Sequence, residues 1–276
     1  MSAAQRSWLT IGVAAALVLG VLATALAVTD RFTPRERGAI DALQPVADRP
    51  DDHIGVVVLG TSLSRNALST HEELGAALTA AGLGDVAAAN LGIAGASIEL
   101  FHEVLDHVWA AEPDILVVEP GIFLGRPFEP DRSLRTRITR WFESEEPLDI
   151  NASICRPRSD DLLTRRLQRH EPWLTVDADD LERLRTFLSE AVTRVERTVL
   201  ILPPRPTIWS EIVDGRDLEV RRQLLEAAAE LSVMPVETTE QPPIEHFCDF
   251  SHLNIEGAQH FLVAWAAALA KEVREP

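Results

Sequence analysis

The chain has 276 residues, an apolar fraction of 46% and a formal net charge of −17. That length and apolar content suit one domain with a packed core plus an appendage, and exclude a globally disordered chain. The acidic balance excludes nucleic acid as the expected partner, because phosphate binding needs a basic face.

The first element is the run "WLTIGVAAALVLGVLATALAV", Trp8 to Val28. It is uncharged and long enough to cross a bilayer as a helix. Two readings compete: a retained signal anchor, or a cleaved signal peptide with "ALA" at Ala25–Ala27 as the small-residue cleavage site. The run exceeds most signal-peptide cores, so residues 1–28 are expected to be an anchor, with the membrane as a partner. Basic residues lie on both sides, and the positive-inside rule decides little. A short N-terminal tail before a single span implies export, which places the main domain in an extracytoplasmic, bacterial-envelope setting. Residues 29–53 are charged, hold Pro34, Pro45 and Pro50, and read as a stalk or linker with a short helix near Glu36–Leu43. Cys155 and Cys248 are the only cysteines. In an exported domain they permit one disulfide; the alternative is two unrelated small core residues.

From residue 54 apolar runs and helical patterns alternate. "IGVVVLG" (Ile54–Gly60) reads as a buried strand and "HEELGAALTAAG" (His71–Gly82) as a helix. "DVAAANLG" (Asp85–Gly92) is a weaker strand, and "SIELFHEVLDHVWAA" (Ser97–Ala111) carries apolar residues at helical spacing. "DILVVE" (Asp114–Glu119) and "TVLILPP" (Thr198–Pro204) are strands, the second ended by prolines. "DLEVRRQLLEAAAEL" (Asp217–Leu231) is a helix, "VMPVET" (Val233–Thr238) a short strand, and "NIEGAQHFLVAWAAALAKEV" (Asn254–Val273) a closing helix. Short apolar strands alternating with helices predict a doubly wound, flavodoxin-like α/β domain over 54–276 with about five mostly parallel strands. The stretch 125–180 lacks a strand pattern and reads as a helical insertion. Its Arg132, Arg135, Arg137 and Arg140 read first as a solvated helix face with charge pairs, and second as a lid or a docking surface for a membrane partner or an anionic glycan.

In such a sheet ligands bind beyond the carboxyl ends of the strands. Four segments should converge there: "GTSLS", "NLGIAGAS", "EPGIFL" and "CDFSHLN". Together they resemble the blocks of the SGNH (GDSL-type) hydrolase superfamily over about Ile54 to Val273, apart from the insertion. "GTS" matches the Gly-x-Ser block, with Thr61 in place of its usual Asp. Asn90 and Gly95 match an Asn-x-x-x-x-Gly block. Asp249 and His252 match the final Asp-x-x-His.

The resemblance implies a serine esterase or acyltransferase. Its expected nucleophile is Ser62, with His252 as base and Asp249 as the group that orients it. A serine hydroxyl needs an adjacent base to become a nucleophile, and a carboxylate fixes the imidazole tautomer. The expected oxyanion donors are the backbone N–H groups of Ser62 and Gly95. Alone, Ser62 would read as a helix N-cap; in company with Gly95, Asp249 and His252 it reads as the nucleophile. The family's third block supplies an Asn side chain, yet Ile122 and Phe123 stand where its Asn-Asp pair would fall. Arg65, Asn66 and Asn90 are the candidate substitutes, Asn90 having a structural role as its alternative. Glu119 either faces the pocket or is satisfied by donors at the strand end. No zinc spacing, P-loop or dinucleotide fingerprint is present, so neither a metal nor a cofactor is expected. The resemblance further implies small acyl groups, acetyl above all, on carbohydrate. Single-span relatives lacking the Asn resemble accessory proteins of bacterial polysaccharide O-acetylation, which work beside a multi-span membrane acyltransferase. The alternative is a non-catalytic envelope protein that binds a glycan or such a partner.

Overall fold

The computed structural model describes residues 34–93, 96–124, 175–233, 235–238, 241–249 and 251–274, with Leu17 and Gly20. Chain order is α1 (Pro34–Ala47), β1 (Ile54–Gly60), α2 (Ser62–Ala67), α3 (His71–Ala80), β2 (Val86–Gly92), α4 (Ile98–Ala110) and β3 (Ile115–Val118). A 3-10 turn (Pro120–Phe123) follows, then α5 (Ala178–Arg194), β4 (Arg197–Ile201), α6 (Thr207–Ile212), α7 (Arg216–Ala229), β5 (Pro235–Val236) and α8 (Ile255–Arg274). The expected transmembrane run and the expected insertion to residue 174 lie outside the described residues. Among the described residues no helix is long and apolar enough to cross a membrane.

The five strands form one sheet in the order β2-β1-β3-β4-β5, and every pairing is parallel. This is the α/β architecture that the alternating pattern predicts. The side chains of β1 alternate between two cores, as a strand with both faces covered must. Val57 and Leu59 join a cluster with α1, α4, α5 and α7. Val56 and Val58 join another with α2, α3 and α8, centred on the fully buried Trp265. The strand order reverses direction at β1. After β2 is laid on one side, the chain returns to place β3 on the other. The crevice above the carboxyl ends of β1 and β3 is therefore the topological switch point, where such sheets bind ligands.

One expectation needs correcting. Residues 34–47, read as part of a stalk or linker with a short helix near Glu36–Leu43, form a longer helix that packs on the domain. Ala39, Leu43 and Val46, spaced four and three apart, turn one apolar face onto the sheet and are buried. Arg49 fixes the end of the helix: its guanidinium donates to Val46 O at 2.8 Å and to Ala111 O and Glu112 O, in the α4–β3 turn, at 3.0 and 2.6 Å. The prolines and charges of this segment hide three apolar positions that are enough for docking. Leu43→Ala is expected to lower stability by about 2–4 kcal/mol, read from the urea midpoint of the full chain; a linker residue would leave that midpoint unchanged.

Candidate active site

β1 ends in Gly60, and the chain turns directly into α2. Thr61, not Ser62, is the N-cap of that helix: its hydroxyl accepts from Leu63 N at 3.1 Å. Ser62 is the first helical residue, so its N–H leaves the helix start without an intrahelical acceptor. The capping role considered for Ser62 thus falls to its neighbour, and the Ser62 hydroxyl is spared for another partner. Space around the turn is tight. A methyl group on Gly60 would collide with the Ser64 hydroxyl, and one on Gly92 would sit 2.5 Å from Arg65 Cβ. Glycine at both positions lets α2 start close against β1 and β2.

The partner of Ser62 comes from the other end of the chain. Ser62 Oγ lies 3.0 Å from His252 Nε2. His252 Nδ1 lies 3.0 Å from Asp249 Oδ2 and 3.1 Å from Oδ1. This bonding assigns the proton of neutral His252 to Nδ1 and leaves Nε2 to accept from Ser62.

The Asp-x-x-His spacing has a local cause. Asp249 Oδ1 accepts from Ser251 N and His252 N, both at 2.8 Å, and folds the loop around its own carboxylate. A bridge between Phe247 and Leu253, with Cys248 N donating to His252 O at 2.9 Å, closes the turn below. Cys248 is disulfide-bonded, and Cys155 lies outside the described residues. Asp249 is buried, while His252 keeps 16% of its side chain open to solvent. A carboxylate withdrawn from water beside a reachable imidazole is the arrangement in which an imidazolium can form and be held.

Glu119, at the carboxyl end of β3, is buried and faces the same turn. Its Oε2 accepts from Thr61 N at 2.8 Å, from Ser64 Oγ at 2.6 Å and from Ser64 N at 3.3 Å. The Thr61 hydroxyl adds a bond of 2.8 Å to Oε1. This carboxylate is therefore a strap from β3 to the residues flanking Ser62. It is satisfied by donors, as one of its two expected readings holds. Replacing it by Gln presents an amide N–H₂ to a set of donors. Glu119→Gln is expected to cost about 2–3 kcal/mol of stability, by urea titration, and to lower any Ser62-dependent turnover with it.

The other expected residues divide. Asn90 takes its structural role: Nδ2 donates to Ser69 O at 3.0 Å and Oδ1 accepts from Gly92 N at 3.2 Å. Asn66 is buried, with its Oδ1 lacking a hydrogen-bond partner among the described residues. Arg65 is half-buried against the end of β2. None of the bonds that join Ser62, His252 and Asp249 involves Arg65, Asn66 or Asn90. Gly95 lies outside the described residues. Ile122 and Phe123 are fully buried in the core, so neither position presents a donor to the site.

His71 was not among the residues singled out from the sequence. Its Nδ1 accepts from Asn90 N at 2.8 Å, which requires a neutral ring. Burial pulls its imidazole below the ordinary value of 6.5, and Glu72 opposes the shift. The unfolded chain therefore takes the proton first. The contribution of His71 to stability is undiminished above the unfolded value and falls as the pH drops through it towards the folded one. The urea midpoint is expected to decline between pH 7.5 and 5.5. His71→Asn, which keeps an acceptor but cannot titrate, should flatten that decline.

No family model matches the chain, and no curated protein matches it. Among solved structures, the chain is similar to LAE5, an alpha/beta hydrolase enzyme from the metagenome of Lake Arreo, Spain, at 15% identity. That likeness covers 81% of this chain and 97% of the other, with a TM-score of 0.48. It is also similar to Axe2, an acetylxylan esterase from Geobacillus stearothermophilus, at 13% identity over 80% of this chain and 94% of the other, with a TM-score of 0.48. At these values the reading of the site rests on its own geometry.

Proposed function

We propose that this protein is an SGNH-type serine esterase or O-acyltransferase, exported and held at the membrane by its N-terminal run. It acts on small acyl esters, acetyl above all, of carbohydrate in a bacterial cell envelope. The chemistry rests on one observation: Ser62, His252 and Asp249 form an unbroken hydrogen-bonded relay, with steps of 3.0 Å, at the switch point of the sheet. The export reading is supported by the apolar N-terminus and by the disulfide at Cys248, a bond that persists in oxidising compartments.

The steps follow from the geometry. Ser62 Oγ attacks the ester carbonyl while its proton passes to His252 Nε2. Asp249 stabilises the imidazolium. The oxyanion meets the Ser62 N–H at the start of α2, with the N–H of Gly95 as its expected second donor. Collapse breaks the ester C–O bond, and His252 returns the proton to the departing alkoxide. Water, or a sugar hydroxyl in the transferase, then gives its proton to His252 and resolves the acyl-enzyme. Acetyl transfer to a polysaccharide beside a multi-span membrane acyltransferase is the form of this chemistry that the anchor and the missing Asn favour.

A second reading is favoured by the burial of Ile122 and Phe123. Without a side-chain donor there, turnover drops by about 10²–10³, and the scaffold could instead bind a glycan or a membrane partner without catalysis. A fluorophosphonate probe and 4-nitrophenyl acetate, applied to the full chain in detergent, separate the two. Wild type is expected to take up the label and hydrolyse the ester. Ser62→Ala should lose the label, and both Ser62→Ala and Asp249→Asn should lose about 10³-fold or more in kcat. Wild-type protein that neither labels at Ser62 nor hydrolyses the ester would leave the binding reading.

A further inference from the structure

A cavity of about 420 Å³ opens beside the turn that carries Ser62; none of Ser62, His252 and Asp249 lines it. Its lining begins at Leu63, the residue after the nucleophile, and includes Glu119 at the end of β3. Beyond these it extends between the loop after β4 and helices α6 and α7. Its volume is in the range of small-molecule sites. Arg205, from the "PPRP" turn after β4, lines it with its guanidinium 5.3 Å over the ring of Trp209.

The charged groups of this cavity are unequally committed. Glu119 already accepts from Thr61 and Ser64. Asp217 accepts from the Ser210 hydroxyl at 2.9 Å. Glu237 faces Arg221 at 3.9 Å. Arg205 makes no hydrogen bond and no ion pair among the described residues; its contact is the stack on Trp209. Burial pulls its guanidinium below the ordinary value, opposed by the fields of Glu119, Asp217 and Asp249. An arginine remains charged at neutral pH all the same. Asp249 is the triad carboxylate, so Arg205 stands within electrostatic reach of the reacting groups.

Arg221 keeps only that distant ion pair, while Arg205, a planar cationic fork over an aromatic face, faces no carboxylate at bonding distance among the described residues. That fork matches a carboxylate, which it can bind through two parallel N–H···O bonds. The overall charge of −17 works against loose anion binding. Only a site with a dedicated cation would hold an acidic ligand here. We infer that this cavity is the subsite for a carboxylate on the sugar that carries or receives the acyl group, with Arg205 as its anchor. The substrate is then a uronic acid or a comparably acidic sugar. The inference rests on the esterase reading and narrows it to one substrate class.

The test compares O-acetylated methyl glucuronide with O-acetylated methyl glucoside on the full chain in detergent. Wild type is expected to favour the glucuronide by roughly tenfold to a hundredfold in kcat/KM, carried by KM. Arg205→Gln should bring the ratio near one. Arg205→Lys, which keeps the charge without the fork, should give an intermediate ratio, and it supplies the test if Arg205→Gln does not fold by circular dichroism. A wild-type ratio near one, or a ratio that Arg205→Gln leaves unchanged, overturns the inference. Ser62-dependent hydrolysis of 4-nitrophenyl acetate without any acidic preference discards the carboxylate subsite and keeps the esterase. If that hydrolysis is absent, the esterase reading falls, and calorimetric titration with methyl glucuronide decides the subsite alone. Binding that Arg205→Gln removes upholds it, and no binding by wild type overturns it.

Discussion

The organisation of the site depends on one buried carboxylate. Glu119 reaches from the end of β3 into the turn after β1 and gathers the Thr61 N–H and hydroxyl together with the Ser64 hydroxyl. A charge withdrawn from water must be matched by donors, or it costs several kcal/mol. Here the donors are the residues on either side of Ser62. The requirement to satisfy Glu119 therefore fixes the backbone that carries Ser62. It also explains the small residue before the turn, since a methyl group on Gly60 would occupy the place of the Ser64 hydroxyl. Thr61 then serves twice, as a donor to Glu119 and as an acceptor for Leu63 N, which leaves the Ser62 hydroxyl to His252.

The base is built by a different device. His252 is held from its own loop: Asp249 binds two successive backbone N–H groups of the turn and one ring nitrogen. Its orientation needs no residue from elsewhere in the sheet. The two halves of the relay are thus assembled independently, one by a strap between strands and one by a self-contained turn. They meet because β1 is an interior strand and α8 packs on the face that also carries α2. This division explains what was legible in the sequence. A turn of four residues leaves a local motif, and Asp249 and His252 stand out. The strands stand out because burial on both faces makes them continuous apolar runs.

What was not legible depends on registers or on masking. The Glu119 strap follows from the parallel pairing that sets Leu59 beside Val118 and brings two segments nearly sixty residues apart together. A sequence shows Glu119 only as a carboxylate at a strand end. The docking of helix α1 is hidden because Pro45 and a run of charges dominate its composition, although the burial of Ala39, Leu43 and Val46 is what holds it. Ser62 alone reads in the sequence as a helix cap; only the bond from Leu63 N shows that Thr61 holds that place. Arg205 gave no signal at all. A single arginine among prolines has no period, and its significance arises from the cavity around it.

These features bear on how the site works without the usual third donor. Ile122 and Phe123 build core, so the block after β3 contributes rigidity to the switch point instead of a hydrogen bond to the oxyanion. An enzyme with fewer oxyanion donors must draw more of its rate from holding the substrate in place. On the proposed reading, an anchor for a remote carboxylate supplies binding energy felt alike by the bound substrate and its transition state. Arg205 then lowers KM for substrates with a charge for it to grip, and the missing oxyanion donor still shows in kcat.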